Sequence, residues 1–320
     1  MKIVVLDGSS LMSDDVSWDA LEALGELTVY RNSSNDTEEL VSKIGDAEIV
    51  ITNKKYITKD VIDACPNIKY ITDIATGYDN IDIDYAKKKG ISVSNVPAYG
   101  TAVVSQFSIA LLLEICHHVG AHNDSIHAGR RAVGSDFSYW EYPQMELDSK
   151  TIGIIGFGKI GQREALIARA LGMNVIAYDI CPTDSGSSCG KYVDLDTLLS
   201  ESDIISLHCN LTADNAGMIN KDTISKMKDG VIILNTARGP LINEHDLADA
   251  LKSGKVSAAG VDVVSEEPIR DDNPLLTAPN CIITPHIAWA AKESRQRIMD
   301  VTADNVQRFM EGKPQNVVNA

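Results

Sequence analysis

The segment Thr151-Ile152-Gly153-Ile154-Ile155-Gly156-Phe157-Gly158-Lys159-Ile160-Gly161 lies near the middle of the 320-residue chain. Its first five residues have the character of a buried strand, and the residues after Lys159 favour a helix. Gly156, Gly158 and Gly161 stand between the two in the pattern G-x-G-x-x-G. In that order they permit a tight turn, a close approach of the backbone to a bound group, and close packing of helix on strand. The segment predicts a βαβ unit whose turn binds an anion.

The next expected strand, residues 174–178, ends at Asp179. A carboxylate at this place accepts hydrogen bonds from the ribose hydroxyls of an adenine dinucleotide and repels a 2′-phosphate. The three residues after Asp179 include neither Arg nor Lys. The pattern favours NAD over NADP as the cofactor. It also favours a dinucleotide site over the alternative of a purely structural turn followed by a solvated acid.

The order of patterns along the chain indicates two domains. Up to about residue 98, short β-rich runs alternate with helical segments, which is typical of a parallel sheet. A long apolar helix from Thr101 to about Val119 and a loop through Asp148 come next, and a second βα series then starts at Thr151. Residues 290–310 are helical in pattern. We expect an α/β protein of two doubly wound parallel-sheet domains, with residues 99–289 inserted between residues 1–98 and 290–320.

Composition narrows the class of function. Hydrophobic residues make up 44% of the chain and charged residues 23%, and the 45 acidic residues exceed the 29 basic ones for a net charge of −16. Because no basic cluster offsets this charge, we expect no nucleic-acid or membrane partner. The six cysteines form no C-x-x-C pair, and neither a signal-peptide core nor a membrane-length apolar run is evident. We therefore expect a cytoplasmic protein with reduced thiols.

Three further segments follow expected strands of the second series. They are N-T-A-R-G at 235–239, V-D-V-V-S-E-E-P at 261–268 and T-P-H-I-A-W at 284–289. The carboxyl ends of strands in a doubly wound sheet face the ligand crevice, so Arg238, Glu267 and His286 are expected to converge there.

These three residue types match the needs of 2-keto acid reduction. Arg238 can bind a carboxylate and the carbonyl oxygen, and His286 can give or take the proton of the alkoxide. Glu267 can orient the imidazole and favour its charged form. Each residue alone has an ordinary structural explanation, as a surface ion pair, a solvated acid or a loop histidine.

With the glycine turn, these segments resemble, in order and spacing, the D-isomer-specific 2-hydroxyacid dehydrogenase family over nearly the whole chain. The resemblance implies an NAD-binding Rossmann domain inserted into a flavodoxin-like substrate domain. It implies that Arg238, Glu267 and His286 are catalytic, and that Thr76 and Gly77 bind substrate together with Arg238 and His286. The cofactor-binding residues that it implies are Val104, Gly156, Gly158, Lys159, Ile160, Gly161, Asp179, Cys209, Thr236, Ala237, Arg238 and Asp262. Relatives commonly have Pro where this chain has Asn210.

Within the family, the segments Phe137–Trp140 and Ile287–Trp289 resemble the corresponding segments of glycerate dehydrogenases, which are also called hydroxypyruvate reductases. The expected activity is NAD-dependent interconversion of a small 2-keto acid and a D-2-hydroxy acid, here hydroxypyruvate and D-glycerate, by a homodimer with a cleft that closes between its domains. Trp140 and Trp289 are equally consistent with packing roles. The alternatives are a 3-phosphoglycerate dehydrogenase and an NAD-sensing binding protein of the corepressor type.

His118 and His122 are spaced i, i+4, which can bind a metal. No carboxylate or cysteine completes the set at a suitable offset, so we expect a surface or a subunit interface here and no metal site.

Overall fold

A computed structural model describes residues 1–11, 16–133 and 136–320. The chain divides into two compact units. Unit 1 comprises Met1–Tyr99 and Ala290–Ala320, and unit 2 comprises Gly100–Trp289.

Unit 1 contains a five-stranded parallel sheet in the order β2-β1-β3-β4-β5. The strands are β1 (Lys2–Val5), β2 (Glu26–Val29), β3 (Ile49–Thr52), β4 (Tyr70–Asp73) and β5 (Ser92–Ser94). This order is that of the flavodoxin-like doubly wound sheet. Every residue of β3 and β4 is buried, as expected for central strands covered on both faces.

Helices connect these strands. They are α1 (Asp19–Glu22), α2 (Thr37–Ile44), α3 (Lys59–Ala64) and α4 (Ile83–Lys88). Asp36 caps α2 by accepting a hydrogen bond from the Glu39 N–H, and Asp82 caps α4 by accepting one from Tyr85. Such caps satisfy backbone N–H groups that have no partner inside the helix, and they determine where α2 and α4 begin.

The helix expected from Thr101 to about Val119 is in fact two helices, α5 (Thr101–His117) and α6 (Val119–His127). They meet at His118, whose φ of 48° is left-handed, and the bend between them is 55°. The side chain of Glu114 accepts a hydrogen bond from the Gly120 N–H, which stabilises the break. Within the described ranges, no single helix is long and apolar enough to cross a membrane, and α5 and α6 satisfy that test only as a bent pair.

Unit 2 contains a seven-stranded parallel sheet in the order β12-β11-β10-β9-β6-β7-β8. Its strands are β6 (Thr151–Ile155), β7 (Asn174–Tyr178), β8 (Lys191–Tyr192), β9 (Ile204–Leu207), β10 (Val231–Asn235), β11 (Val256–Val261) and β12 (Cys281–Ile283). Its remaining helices are α7 (Lys159–Ala170), α8 (Asp184–Cys189), α9 (Leu195–Glu201), α10 (Lys221–Lys226) and α11 (Glu244–Ser253). The direction of winding reverses between β6 and β9, and this switch point is where such sheets bind ligands.

Apolar side chains cover both faces of the unit 2 sheet. Ile109 and Leu112 of α5 pack with α7 on one face, and Leu198 of α9 packs with Ile224 and Leu247 on the other. This burial on two faces explains why the central strands consist almost entirely of apolar residues.

The last helix, α12 (Lys292–Met310), belongs to unit 1. Phe309 stacks on Tyr70 of β4 with ring centroids 4.4 Å apart. The side chain of Asn305 donates a hydrogen bond to the Asn95 carbonyl at 2.9 Å. The C-terminal segment therefore completes the fold of the N-terminal one.

Candidate active site

The glycine turn lies between β6 and α7, beside the switch point. Gly156 has a φ of 92°, and a Cβ there would overlap the backbone of Cys209. Gly158 precedes α7 without a side-chain cap, and a Cβ there would meet nothing within 4 Å. The start of α7 therefore borders open space with its N–H groups uncapped by a side chain, which suits a bound pyrophosphate. Lys159 is exposed here, and Ile160 is half-buried.

Asp179 is hydrogen-bonded to this turn. Its Oδ2 accepts from the Phe157 N–H at 2.6 Å, and its Oδ1 accepts from the Cys181 N–H at 2.8 Å. A carboxylate oxygen has two lone pairs, so each oxygen keeps capacity for a ribose hydroxyl. The turn and the acid after β7 thus form one hydrogen-bonded structure.

Thr236, just after β10, has a buried Oγ1 with no hydrogen-bond partner. A buried hydroxyl without a partner is costly unless a ligand satisfies it. Together with the open space at Gly158, this atom fits a bound dinucleotide. The residues that would hold NAD are the glycine turn, Asp179, Cys209 and Thr236.

The loop after β10 carries Arg238, whose side chain is half-buried. Asn235 shapes this loop, since its side chain donates to the Arg238 carbonyl at 2.9 Å and accepts from the Ala237 N–H at 3.0 Å. Gly239 lies against the next loop so closely that a Cβ would overlap the backbone of Val264. The guanidinium donates to the Ala237 carbonyl at 2.8 Å through Nη1, which leaves most of its five donors for a ligand.

Asp262 is 1% exposed and organises the loop after β12. Its Oδ1 accepts hydrogen bonds from the Thr284 hydroxyl at 2.6 Å and the Ile287 N–H at 2.9 Å, and its Oδ2 accepts from the Ala288 N–H at 2.8 Å. The resemblance implies a contact with the cofactor for this acid. Its observed partners are groups that flank His286 in sequence, so Asp262 holds the histidine loop.

His286 and Glu267 meet side chain to side chain. His286 Nδ1 lies 2.7 Å from Glu267 Oε2, and each side chain is 31% exposed. The backbone of His286 has a φ of 56°, a left-handed conformation that is uncommon for a residue with a side chain. Two hydrogen bonds hold it there. The His286 N–H donates to the Asp262 carbonyl, and Trp289 Nε1 donates to the His286 carbonyl. Within the described residues, Nε2 of the ring has no hydrogen-bond partner.

The other predicted residues are placed as follows. Val104 lies in α5 and is 8% exposed. Thr76 and Gly77 lie in unit 1, in the loop after β4, where the Asn95 side chain donates to the Thr76 carbonyl at 2.7 Å. Trp140 is 72% exposed and is not a core residue.

The His118 and His122 pair is engaged within the chain. The His122 ring contacts the His118 carbonyl through Nδ1 at 2.9 Å, and its Nε2 accepts from the Glu141 N–H at 3.1 Å. The His118 ring stacks on Tyr142. Among the described residues, no group of three or more His, Cys, Asp and Glu side chains is arranged to hold a metal ion.

The sequence analysis missed a buried pair beside the glycine turn. His208 Nε2 lies 2.6 Å from Glu164 Oε2, with the side chains 1% and 0% exposed. The available signal was that Glu164 shares the buried face of α7 with Gly161, Ala165 and Ala168. An acid on such a face requires a partner.

Comparisons with known proteins identify the family of the chain. Residues 109–288 match the model of the D-isomer specific 2-hydroxyacid dehydrogenase NAD binding domain. The chain is 58% identical over 322 residues to a hydroxypyruvate reductase of Blautia hydrogenotrophica, covering 100% of both chains. It is 40% identical over 321 residues to a glycerate dehydrogenase of Methylorubrum extorquens, covering 100% of this chain and 99% of the relative.

A solved structure is also similar over the whole chain. It is a D-lactate dehydrogenase from Aquifex aeolicus in complex with NAD and lactic acid, with 31% identity and a TM-score of 0.83. The match covers 100% of this chain and 99% of that one. The protein therefore belongs to the D-isomer-specific 2-hydroxyacid dehydrogenase family, and it is an oxidoreductase that interconverts a 2-keto acid and a 2-hydroxy acid with NAD.

Proposed function

We propose that the enzyme reduces hydroxypyruvate to D-glycerate, with His286, Glu267 and Arg238 as the catalytic residues of unit 2. The observation that carries the proposal is the 2.7 Å contact between His286 Nδ1 and Glu267 Oε2. It leaves Nε2 of the ring as the proton donor. The names of the two relatives above supply the substrate.

Proton transfer is the part of the reaction that this pair performs. When bound, the nicotinamide supplies or accepts the hydride. His286 donates a proton to the developing alkoxide during reduction and takes it back during oxidation. Glu267 stabilises the protonated ring by its charge and keeps Nδ1 engaged, so that Nε2 carries the exchangeable proton.

Arg238 provides the positive charge for an anionic substrate. A guanidinium has a planar set of donors that matches a carboxylate and an adjacent carbonyl oxygen. The Asn235 bonds and the close packing at Gly239 hold the Arg238 backbone. We assign the remaining substrate contacts to the backbone of Thr76 and Gly77 in unit 1. Unit 1 is thus the substrate-binding domain in this proposal, and unit 2 the NAD-binding domain.

A screen of 2-keto acids tests the substrate. Hydroxypyruvate, 3-phosphohydroxypyruvate, glyoxylate and pyruvate are compared by kcat/KM with NADH and with NADPH. We expect hydroxypyruvate to be the best substrate and the phosphorylated acid to be poor, because the loop at residues 75–80 contains no Lys or Arg. A preference for 3-phosphohydroxypyruvate would instead indicate a 3-phosphoglycerate dehydrogenase. Negligible turnover combined with NAD-dependent association would indicate a corepressor-type binding protein.

We also propose that the enzyme is a cytoplasmic homodimer. Several apolar side chains in and after α6 are exposed in the single chain. They are Val119 (64%), Ile126 (45%), Val133 (84%), Phe137 (99%) and Trp140 (72%). Exposed apolar clusters of this kind mark interfaces. Sedimentation analysis of the protein and of a Phe137→Asp variant tests this: we expect a dimer that the charge weakens, and a monomeric parent protein would contradict it.

A further inference from the structure

We propose that Glu164 and His208 are positioning residues for the dinucleotide, because their buried, hydrogen-bonded pair joins α7 to the loop after β9 beneath the glycine turn. The proposal rests on the cofactor site proposed above. It assigns a role to two buried side chains that contribute nothing to the proton and substrate chemistry of unit 2.

The pair is short and almost fully enclosed. His208 Nε2 lies 2.6 Å from Glu164 Oε2 and 3.1 Å from Ser206 Oγ, and Ser206 Oγ lies 3.3 Å from Ser108 Oγ. Burial is the largest single influence on Glu164 and acts to raise its pKa. The charge of His208 and the polar side chains of His208, Ser108 and Ser206 together outweigh burial and lower that pKa. Glu164 is therefore an anion held in the protein interior.

His208 connects this anion to the cofactor surface. Its N–H donates to the Ile155 carbonyl at 2.7 Å, at the end of β6. The backbones of His208 and Cys209 occupy the space that a Cβ at Gly156 would need. Because the glycine turn and this loop are in direct contact, a shift of the His208 ring moves the surface on which the cofactor is expected to lie.

The negative charge of Glu164 also affects the binding of a diphosphate at the start of α7. Glu164 lies five residues after Lys159, about 7.5 Å along the helix from the start of α7. A negative charge at that depth opposes the binding of a diphosphate at the start of the helix. The His208 ring, 2.6 Å from that carboxylate, is its hydrogen-bond partner in the interior. An apolar pair would fill the same space at lower desolvation cost, and a role in positioning explains why a buried carboxylate and its partner are present.

The experiment compares Glu164→Gln, His208→Asn and the double variant with the parent protein. Glu201→Gln and His245→Asn, which change exposed residues of the same types, are matched controls. The readouts are the NADH dissociation constant by fluorescence, kcat and KM at saturating NADH, and the thermal unfolding midpoint without NADH.

Loss of His208 leaves an uncompensated buried carboxylate, so we expect His208→Asn to weaken NADH binding by about tenfold. Glu164→Gln should weaken it by only about threefold. Adding Glu164→Gln to His208→Asn should restore part of the affinity, and kcat should stay within about twofold throughout because the catalytic residues are unchanged. A merely structural role predicts that the double variant binds no better than His208→Asn, and that result overturns the proposal.

Ser206→Ala covers the case in which His208→Asn does not fold, since it removes only the hydroxyl beside the ring. We expect about a threefold loss of NADH affinity with unchanged kcat, and unchanged affinity contradicts the proposal. Asp179→Ala distinguishes a failure of this positioning role from a failure of the proposed cofactor site. If Asp179→Ala weakens NADH binding and His208→Asn does not, the positioning role is wrong. If neither variant changes binding, the cofactor site itself is wrongly placed.

Discussion

Glu267 Oε2 approaches His286 Nδ1 to 2.7 Å, although the two residues lie 19 positions apart and on different loops. Asp262 organises the loop that carries His286, because it accepts hydrogen bonds from residues on both sides of His286. The left-handed backbone of His286 is tolerated because these contacts hold it. The proposed proton donor is therefore positioned by a buried acid that never needs to touch the substrate.

The first prediction concerns pH. Reduction requires the protonated imidazole, so kcat/KM for hydroxypyruvate should fall as pH rises. Glu267→Gln removes the negative charge that favours the protonated ring, and the alkaline limb should move to lower pH. Rate profiles against pH for the parent, Glu267→Gln and the exposed control Glu201→Gln test this. An unmoved limb in Glu267→Gln would show that Glu267 has another role.

The second prediction concerns Arg238. Arg238→Ala should reduce kcat/KM by an amount equivalent to about 3 kcal/mol, because a charge-assisted bidentate contact is lost. Arg238→Lys should recover only part of this, since an ammonium lacks the planar fork. Steady-state kinetics with Arg31→Ala, which changes an exposed arginine, provides the comparison. Near-normal kcat/KM in Arg238→Ala would place this residue outside the site.

The third prediction concerns cofactor choice. We expect the parent enzyme to prefer NADH over NADPH, and Asp179→Ala to narrow the preference by about tenfold. The variant also removes the acceptors for the Phe157 and Cys181 N–H groups, so absolute affinities will fall for both cofactors. The ratio of the two kcat/KM values is therefore the relevant measurement, with Asp249→Ala as an exposed control. Equal use of both cofactors by the parent enzyme would refute the assigned role of Asp179.

The fourth prediction concerns stability. Asp73 is fully buried in β4, and burial raises its pKa well above the usual value. Asn80 and Ala75 act to lower this pKa, and the charges of Asp7 and Asp79 act to raise it further. The folded state therefore keeps this proton to higher pH than the unfolded chain, and stability is lost as pH rises through the folded pKa.

Asp73→Asn should raise the unfolding midpoint by a few degrees at neutral pH, and the gain should shrink in acid, where the parent carboxyl is already protonated. Scans of the parent, Asp73→Asn and the exposed control Asp60→Asn at several pH values test this. A gain independent of pH would mean that ionisation of Asp73 is not the cause.

Local sequence patterns were sufficient to predict much of the fold and of the candidate site. The glycine turn, Asp179 and the three loop segments could be found from the sequence because strand, turn and helix each leave a short-range pattern. The pairing of His286 with Glu267 was also expected, since both follow strands that were predicted to end at one edge of a parallel sheet.

Features that depend on contacts distant in sequence were not predicted. Two local features were also missed: the helix break at His118, where Glu114 accepts a hydrogen bond from the Gly120 N–H, and α8, which Thr183 caps in a segment rich in Ser and Gly. The Glu164 and His208 pair joins residues 44 positions apart. No periodicity reports such a pair, because each partner appears alone as an isolated polar residue in an apolar pattern.

The most direct test of the central claim is the reduction of hydroxypyruvate by His286→Gln, with NADH affinity measured on the same sample. The account predicts that kcat/KM falls by about 10²- to 10⁴-fold, the usual contribution of a general acid, while NADH binding stays near the parent value. His245→Gln, at an exposed position of α11, should retain full activity. A His286→Gln enzyme with near-parent turnover would contradict the assignment of His286 as the proton donor.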